Sequence, residues 1–205
     1  DSPTAKEIPD KYKDPKHYWT GVYVGVLGFC SNQKVLEEKG LQVPQSWDDL
    51  LKPELKGQIS TAHPSTSGTA FTTLWTQVVL RGSEDAGLDY MKKMHANVLQ
   101  YTKSGTAPGQ IAGRGEVAVG LVFSHDCVKY RDEGMKDLVV SFPKEGTGYE
   151  IGGVALVKNS KHSEAAKKYI DWAISADAQN LGQTVGSNQI LTNPNAKTND
   201  KMAKL

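Results

Sequence analysis

The sequence predicts an α/β fold, and three observations carry that prediction. Short runs rich in Val, Leu, Ile and Phe alternate with segments of helical period between about residues 20 and 145. Four of these runs are broken by short polar loops: Ser65-Thr66-Ser67-Gly68-Thr69, Ser104-Gly105-Thr106, Ser124-His125-Asp126 and Gly146-Thr147-Gly148-Tyr149-Glu150. No internal repeat or low-complexity tract interrupts the alternation.

The elements follow in chain order. Residues 1–18 hold Pro3, Pro9 and Pro15 and read as an extended lead-in. Trp19 to Asn32 is rich in Val and aromatics and reads as one long strand, with Gly21, Gly25 and Gly28 as points of bending or close approach. Gln33 to Lys39 is a short helix ended by Gly40, and Ser46 caps a turn over Trp47 to Leu51. Gly57 to Ala62 is a strand stopped by Pro64. Ser67 to Leu80 is a helix whose inward face is expected to hold Ala70, Leu74, Trp75 and Val78. Ser83 caps a helix to Met94, with Glu84 and Asp85 in its first turn. Val98 to Thr102 is a strand, Ala107 to Gly113 a helix with Pro108 in its first turn, and Val117 to Phe123 a strand. His125 to Glu133 is a helix ended by Gly134, Leu138 to Phe142 a strand, and Tyr149 to Lys158 a glycine-interrupted strand. Ser163 to Ile174 is a helix with Ala166, Tyr169, Ile170 and Ala173 on one face, and Asp177 to Thr184 is another. The polar tail from Ser187 reads as irregular. Trp19, Trp47, Trp75 and Trp172 are expected in the core, and His17, His63, His95 and His162 on the surface.

Bulk properties narrow the function. The chain has 205 residues, 38% of them hydrophobic, enough for one large domain or two small lobes. The net charge of +1 without any basic block gives no case for nucleic acid. No run approaches the roughly 18 apolar residues needed to cross a bilayer. Cys30 and Cys127 are the only cysteines, too few for a disulfide scaffold or a zinc cluster. Both follow apolar runs that read as strands and could be neighbours, but two separate thiols are the expectation.

The loops carry the chemistry. In an open α/β sheet, loops at the carboxyl ends of strands line one ligand crevice, and helix N-termini there favour anions. The hydroxyls of Ser65, Ser67, Thr69, Ser104 and Thr106, with the Gly68 amide, suit phosphate or another oxyanion; a helix cap and turn is the plainer reading of the same residues. Neither loop is a phosphate-binding P-loop, because the Gly-x-x-x-x-Gly-Lys-Ser/Thr pattern is missing. Ser124-His125-Asp126 is no catalytic triad, since three consecutive side chains cannot converge. His125 and Asp126 suit ligand hydroxyls, or Asp126 simply caps its helix. Glu150 joins them as a candidate, and the three together could hold a metal instead.

Several segments resemble one family. Gly21-Val-Tyr-Val-Gly-Val-Leu-Gly-Phe, Ser46-Trp-Asp-Asp-Leu-Leu, Pro53-Glu-Leu-Lys-Gly, Pro64-Ser-Thr-Ser-Gly-Thr-Ala and Ala165-Ala-Lys-Lys-Tyr-Ile-Asp-Trp resemble solute-binding proteins of bacterial ABC importers. The branch is the ferric-ion-binding-like one, with the type II periplasmic binding protein fold, and the resemblance runs from about Tyr12 to Pro194. It implies two α/β lobes closing on a ligand, with hinges at Tyr23 to Leu27 and Tyr149 to Val154. Residues 25–150 would be one complete lobe; residues 1–24 and 151–205, with the hinge strands, would be part of the other. Members of the family carry a further stretch ahead of this start, with several ligand contacts, so this chain alone is expected to bind hexose phosphate weakly or not at all.

The resemblance also implies a ligand. Iron-binding members use two adjacent tyrosines, whereas Tyr130 here follows Lys129 and Tyr149 precedes Glu150. Ser124-His125-Asp126 with Gly146-Thr-Gly-Tyr-Glu-Ile-Gly looks like the hexose-phosphate-binding members. His125, Asp126 and Glu150 would then hold sugar hydroxyls, and Ser65, Ser67, Gly68, Thr69, Ser104 and Thr106 the phosphate. The implied protein is periplasmic, or lipid-anchored outside the cell. It delivers a small anionic ligand to an ABC permease of the inner membrane and uses no cofactor, resident metal or catalytic residue. A ferric-ion carrier and a ligand-sensing subunit of a membrane signalling system are the alternatives.

Overall fold

The computed structural model describes residues 2–204. They form two compact units, a larger one of residues 26–149 and a smaller one of residues 2–25 with 150–204. Strand β1 (Thr20–Asn32) begins in the smaller unit and ends in the larger.

In the larger unit β1 leads into α1 (Gln33–Glu38), whose first turn is capped by Asn32 accepting from the Val35 amide. A 3-10 turn at Trp47–Leu51 is capped by Ser46, and a second spans Pro53–Leu55. Then come β2 (Ile59–Ala62), α2 (Gly68–Arg81), α3 (Glu84–His95), β3 (Val98–Thr102), α4 (Ala107–Gly113), β4 (Val119–Phe123), α5 (Ser124–Asp132) and β5 (Leu138–Ser141). Ser67 and Ser83 cap α2 and α3 by accepting from the amides three residues on, as the sequence predicts.

The strand order is β3-β2-β4-β1-β5. β2 runs parallel to β3 and to β4, so the carboxyl ends of these three strands share one sheet edge. β1 runs antiparallel to β4 and β5, with Leu27 opposite Phe123 and Phe29 opposite Ser141. The segment after β5 therefore returns to that same edge, where the Leu27 amide donates to Gly148 O at 3.0 Å.

Two apolar clusters fill the larger unit. One gathers Phe29, Leu36, Trp47, Leu50, Leu55, Ile59, Tyr90 and Met94. The Trp47 ring meets Phe29 and Tyr90 edge-on at 5.0 and 6.4 Å, and the Tyr90 hydroxyl donates to Trp47 O at 2.5 Å. The other cluster gathers Cys30, Ile111, Val117, Val122, Cys127, Tyr130 and Leu138. Within it Cys30 and Cys127 are joined in a disulfide, so the expectation of two thiols is wrong. Their sequence separation of 97 residues conceals that β1 and α5 stack here, with Cα atoms 5.6 Å apart. Closing so long a loop restricts the unfolded chain and stabilises by about 2–4 kcal/mol.

The inward face of α2 also differs from expectation. Ala70, Thr73, Thr76 and Gln77 are buried, while Trp75 is 52% exposed beside exposed Phe71 and Val79. The threonines satisfy themselves: Thr73 donates to Thr69 O at 3.0 Å and Thr76 to Thr72 O at 2.7 Å, so their hydroxyls can leave water. Their rotation is set by close backbone approaches. A Cβ on Gly148 would lie 2.1 Å from Thr76 Oγ1, and one on Gly87 would lie 2.7 Å from the Val78 amide.

The smaller unit is built differently. Its start holds 3-10 turns at Pro3–Lys6 and Asp10–Tyr12 where an extended chain was expected. Asp171 stabilises the first of them, accepting from the Ser2 hydroxyl and, at 3.0 Å, from the Thr4 amide. β6 (Tyr149–Val154) and β7 (Ile190–Leu191) both pair with β1. α6 (Ser163–Ala173), α7 (Ala176–Thr184) and α8 (Asp200–Ala203) complete it. The tail expected to be irregular is tied in by Gln179, whose side-chain oxygen accepts from the Thr192 and Asn193 amides at 3.0 Å each. Trp172 on α6 is 50% exposed, against the expected burial, and Tyr169 is 60% exposed.

Candidate functional site

Three of the four polar loops, with the first turn of α5, stand on the shared strand edge of the larger unit. The first follows β2. Its Ser67 hydroxyl caps α2, a helix of 14 residues whose opening amides have no intrahelical acceptor. Ser65 lies exposed, its hydroxyl 2.7 Å from His63 Nδ1. Thr66 donates to Lys103 O at 3.1 Å and so ties this loop to the one after β3.

That second loop folds on itself, with Ser104 Oγ 3.0 Å from Thr106 Oγ1. Between them, Gly105 touches the first loop. A Cβ on Gly105 would lie 2.4 Å from Thr69 Oγ1 and 2.7 Å from Ser67 Oγ. The structure therefore brings Ser67, Gly68, Thr69, Ser104 and Thr106 into one hydroxyl-lined patch at the N-terminus of α2. Sequence reasoning named the loop but gave Gly105 no role. The signal was a lone glycine flanked by two hydroxyl residues.

α5 follows β4 directly. Tyr130 on this helix donates to Thr106 O at 3.2 Å, linking it to the second loop. Asp126 lies inside the first turn, and α5 has no side-chain cap, so Asp126 is not the cap that the plainer reading offered. The Ser124 hydroxyl is buried and has no hydrogen-bond partner. The His125 ring stacks on Phe123 at 5.6 Å between centroids.

His125 and Asp126 share an unusual electrostatic setting. Their side chains are only 12% and 16% exposed, with Nε2 3.8 Å from Oδ1. Burial lowers the His125 pKa to about 4 and raises that of Asp126 to about 6, the latter opposed by the Lys129 charge. The histidine loses its proton before the carboxyl does, so near neutral pH they form no ion pair. A neutral imidazole beside a poorly solvated carboxylate offers donor and acceptor atoms with little competing water.

The fourth loop ends at Gly148, where the Thr147 hydroxyl donates to Leu27 O at 3.0 Å. Glu150 is the second residue of β6; it is half-buried and belongs to the smaller unit. Among the described residues no three His, Cys, Asp or Glu side chains are grouped to hold a metal ion.

Comparison with known proteins places this arrangement. Residues 1–201 match the bacterial extracellular solute-binding protein family. The chain belongs to that family. The solved structure of the periplasmic binding protein AfuA from Actinobacillus pleuropneumoniae, with exogenous fructose-6-phosphate bound, is 40% identical with a TM-score of 0.91, over 97% of this chain and 64% of that one. The periplasmic binding protein P5PA is 35% identical with a TM-score of 0.89, over the same 97% and 64%. An Fe(3+)-binding periplasmic protein of Serratia marcescens is 24% identical over all of this chain and 61% of its own length. The chain thus spans a little under two thirds of each. The α/β architecture is the type II periplasmic binding protein fold, in the ferric-ion-binding-like branch that the sequence resembles.

Proposed function

We propose that this chain carries the ligand-holding part of a solute-binding protein that captures a sugar phosphate for an ABC permease. The observation that carries the reading is the approach of Gly105 to Ser67 and Thr69, which joins two hydroxyl loops at the N-terminus of α2. Such a place favours a phosphate, since hydroxyls, backbone amides and the helix dipole all stabilise negative charge. Each hydrogen bond to the ionised group contributes about 1.5–3 kcal/mol. His125 and Asp126 take the sugar hydroxyls. Residues 25–150 act as one lobe, and residues 1–24 with 151–205 as part of the other. The likeness to AfuA with its fructose-6-phosphate supports this ligand class. The buried disulfide supports an oxidising compartment such as the periplasm. Among the described residues no helix is long and apolar enough to cross a membrane.

Phosphorus NMR of fructose 6-phosphate titrated with the chain tests this. The phosphate signal should shift and broaden, and in the full-length protein Asp126→Ala should weaken binding more than tenfold at an unchanged fold. Unchanged affinity in that variant removes Asp126 from the site. The match to the Serratia Fe(3+)-binding protein favours a second reading, ferric-ion carriage. Stoichiometric iron with visible charge-transfer colour in the purified chain, and no response of the sugar phosphate, would favour it instead.

A further inference from the structure

The start of α5 is held against its local preferences. α2, α3 and α7 are each capped by a serine accepting from the amide three residues on, whereas α5, like α4 and α6, has no side-chain cap. Its first turn also buries the unpartnered Ser124 hydroxyl and two side chains that lose solvation there, His125 and Asp126. Missing caps and buried polar groups each favour fraying. One covalent tie opposes it. Cys127 follows Asp126 in the chain and is bonded to Cys30, both essentially unexposed. Cys30 sits mid-sheet on β1, paired across to Gly120 on one side and Val140 on the other.

We propose that the Cys30–Cys127 bridge is a positioning device for the ligand site, pinning the uncapped first turn of α5 to the central strand so that Asp126 and His125 stay where the ligand meets them. This rests on the sugar-phosphate reading above. The bridge itself touches no ligand; it acts through the turn that follows β4.

The test combines amide hydrogen exchange with fructose 6-phosphate titration of the chain and its Cys30→Ala/Cys127→Ala variant. In the parent, the amides of residues 127–130, the first in α5 with acceptors inside the helix, should exchange as slowly as those of β4. Fast exchange there with the bridge intact overturns the proposal without any variant. In the double variant, exchange should quicken at 127–130 and stay slow in β2 and β4, and affinity should fall about tenfold. In the Asp126→Ala background, removing the bridge should cost little further affinity. An equal loss in both backgrounds, or exchange quickened throughout the larger unit, means general stabilisation and contradicts positioning. Full affinity without the bridge contradicts it also. If the parent chain binds fructose 6-phosphate too weakly to titrate, the exchange pattern alone decides whether the bridge pins the turn.

Discussion

The two units bury different kinds of side chain. The larger packs Phe29, Trp47, Leu50, Ile59, Met94, Val119 and Leu138 into two apolar clusters around a five-stranded sheet. In the smaller, the buried apolar side chains among the described residues are Ile8, Val24, Ile174 and Met202. Its interior is instead knitted by amides and hydroxyls: Gln179 bonds Thr192 and Asn193, the Thr192 hydroxyl donates to Gly21 O at 2.8 Å, and Asn193 donates to Ile174 O at 3.0 Å. Apolar burial is non-directional and sums with area, whereas each hydrogen bond only replaces one to water. The larger unit should therefore tolerate the polar loops on its edge, while the smaller depends on every member of a short network.

That contrast can be broken from the apolar side first. Leu50→Ala opens a cavity in a fully buried cluster and should cost the larger unit about 2–5 kcal/mol in chemical denaturation, leaving exchange in α7 unchanged. A loss below 1 kcal/mol would show that the cluster is not the unit's foundation. On the polar side, Gln179→Ala strands the Thr192 and Asn193 amides. It should cost about 1–3 kcal/mol and quicken exchange in residues 190–193 only. Exchange unchanged at those amides would dissolve the polar-core description.

The smallest effect sharpens the comparison inside the larger unit. The pKa of Asp126 is raised to about 6 in the folded chain from an ordinary value of 3.8. The folded state therefore gains from its protonation, a contribution complete below about pH 4 and lost as pH rises through about 6. At pH 7.5 the ionised carboxylate is a liability to stability. Asp126→Asn should then stabilise the chain by about 1–2 kcal/mol at that pH and by nothing below pH 4. The same variant should bind sugar phosphate more weakly. Stabilisation that persists below pH 4 would contradict burial of the charge as its cause.

Much of the larger unit was legible in the sequence. Val98–Thr102 and Ala107–Gly113 form with the bounds that composition predicts, and Ser67 and Ser83 mark their helices because a hydroxyl accepts a local amide. What hydrogen bonds or bridges at long range left no periodic trace. The Cys30–Cys127 pair needed β1 and α5 to be stacked before it could be read. The Gln179 network makes order from a tail that composition describes as irregular. The buried face of α2 was misread because Thr73 and Thr76 hide their own hydroxyls, leaving Trp75 outside. The candidate loops were legible as glycine-bearing breaks after strands. That two of them touch was not, because it depends on β2 and β3 being parallel neighbours.

The central claim is that one strand edge of the larger unit holds the phosphate and the sugar together. An amide chemical-shift map of the chain titrated with fructose 6-phosphate measures this directly. The account predicts perturbations gathered at residues 67–69, 104–106 and 124–127, with α3 and α7 silent. Perturbations confined to the smaller unit, or spread without focus over the surface at millimolar ligand, would contradict it.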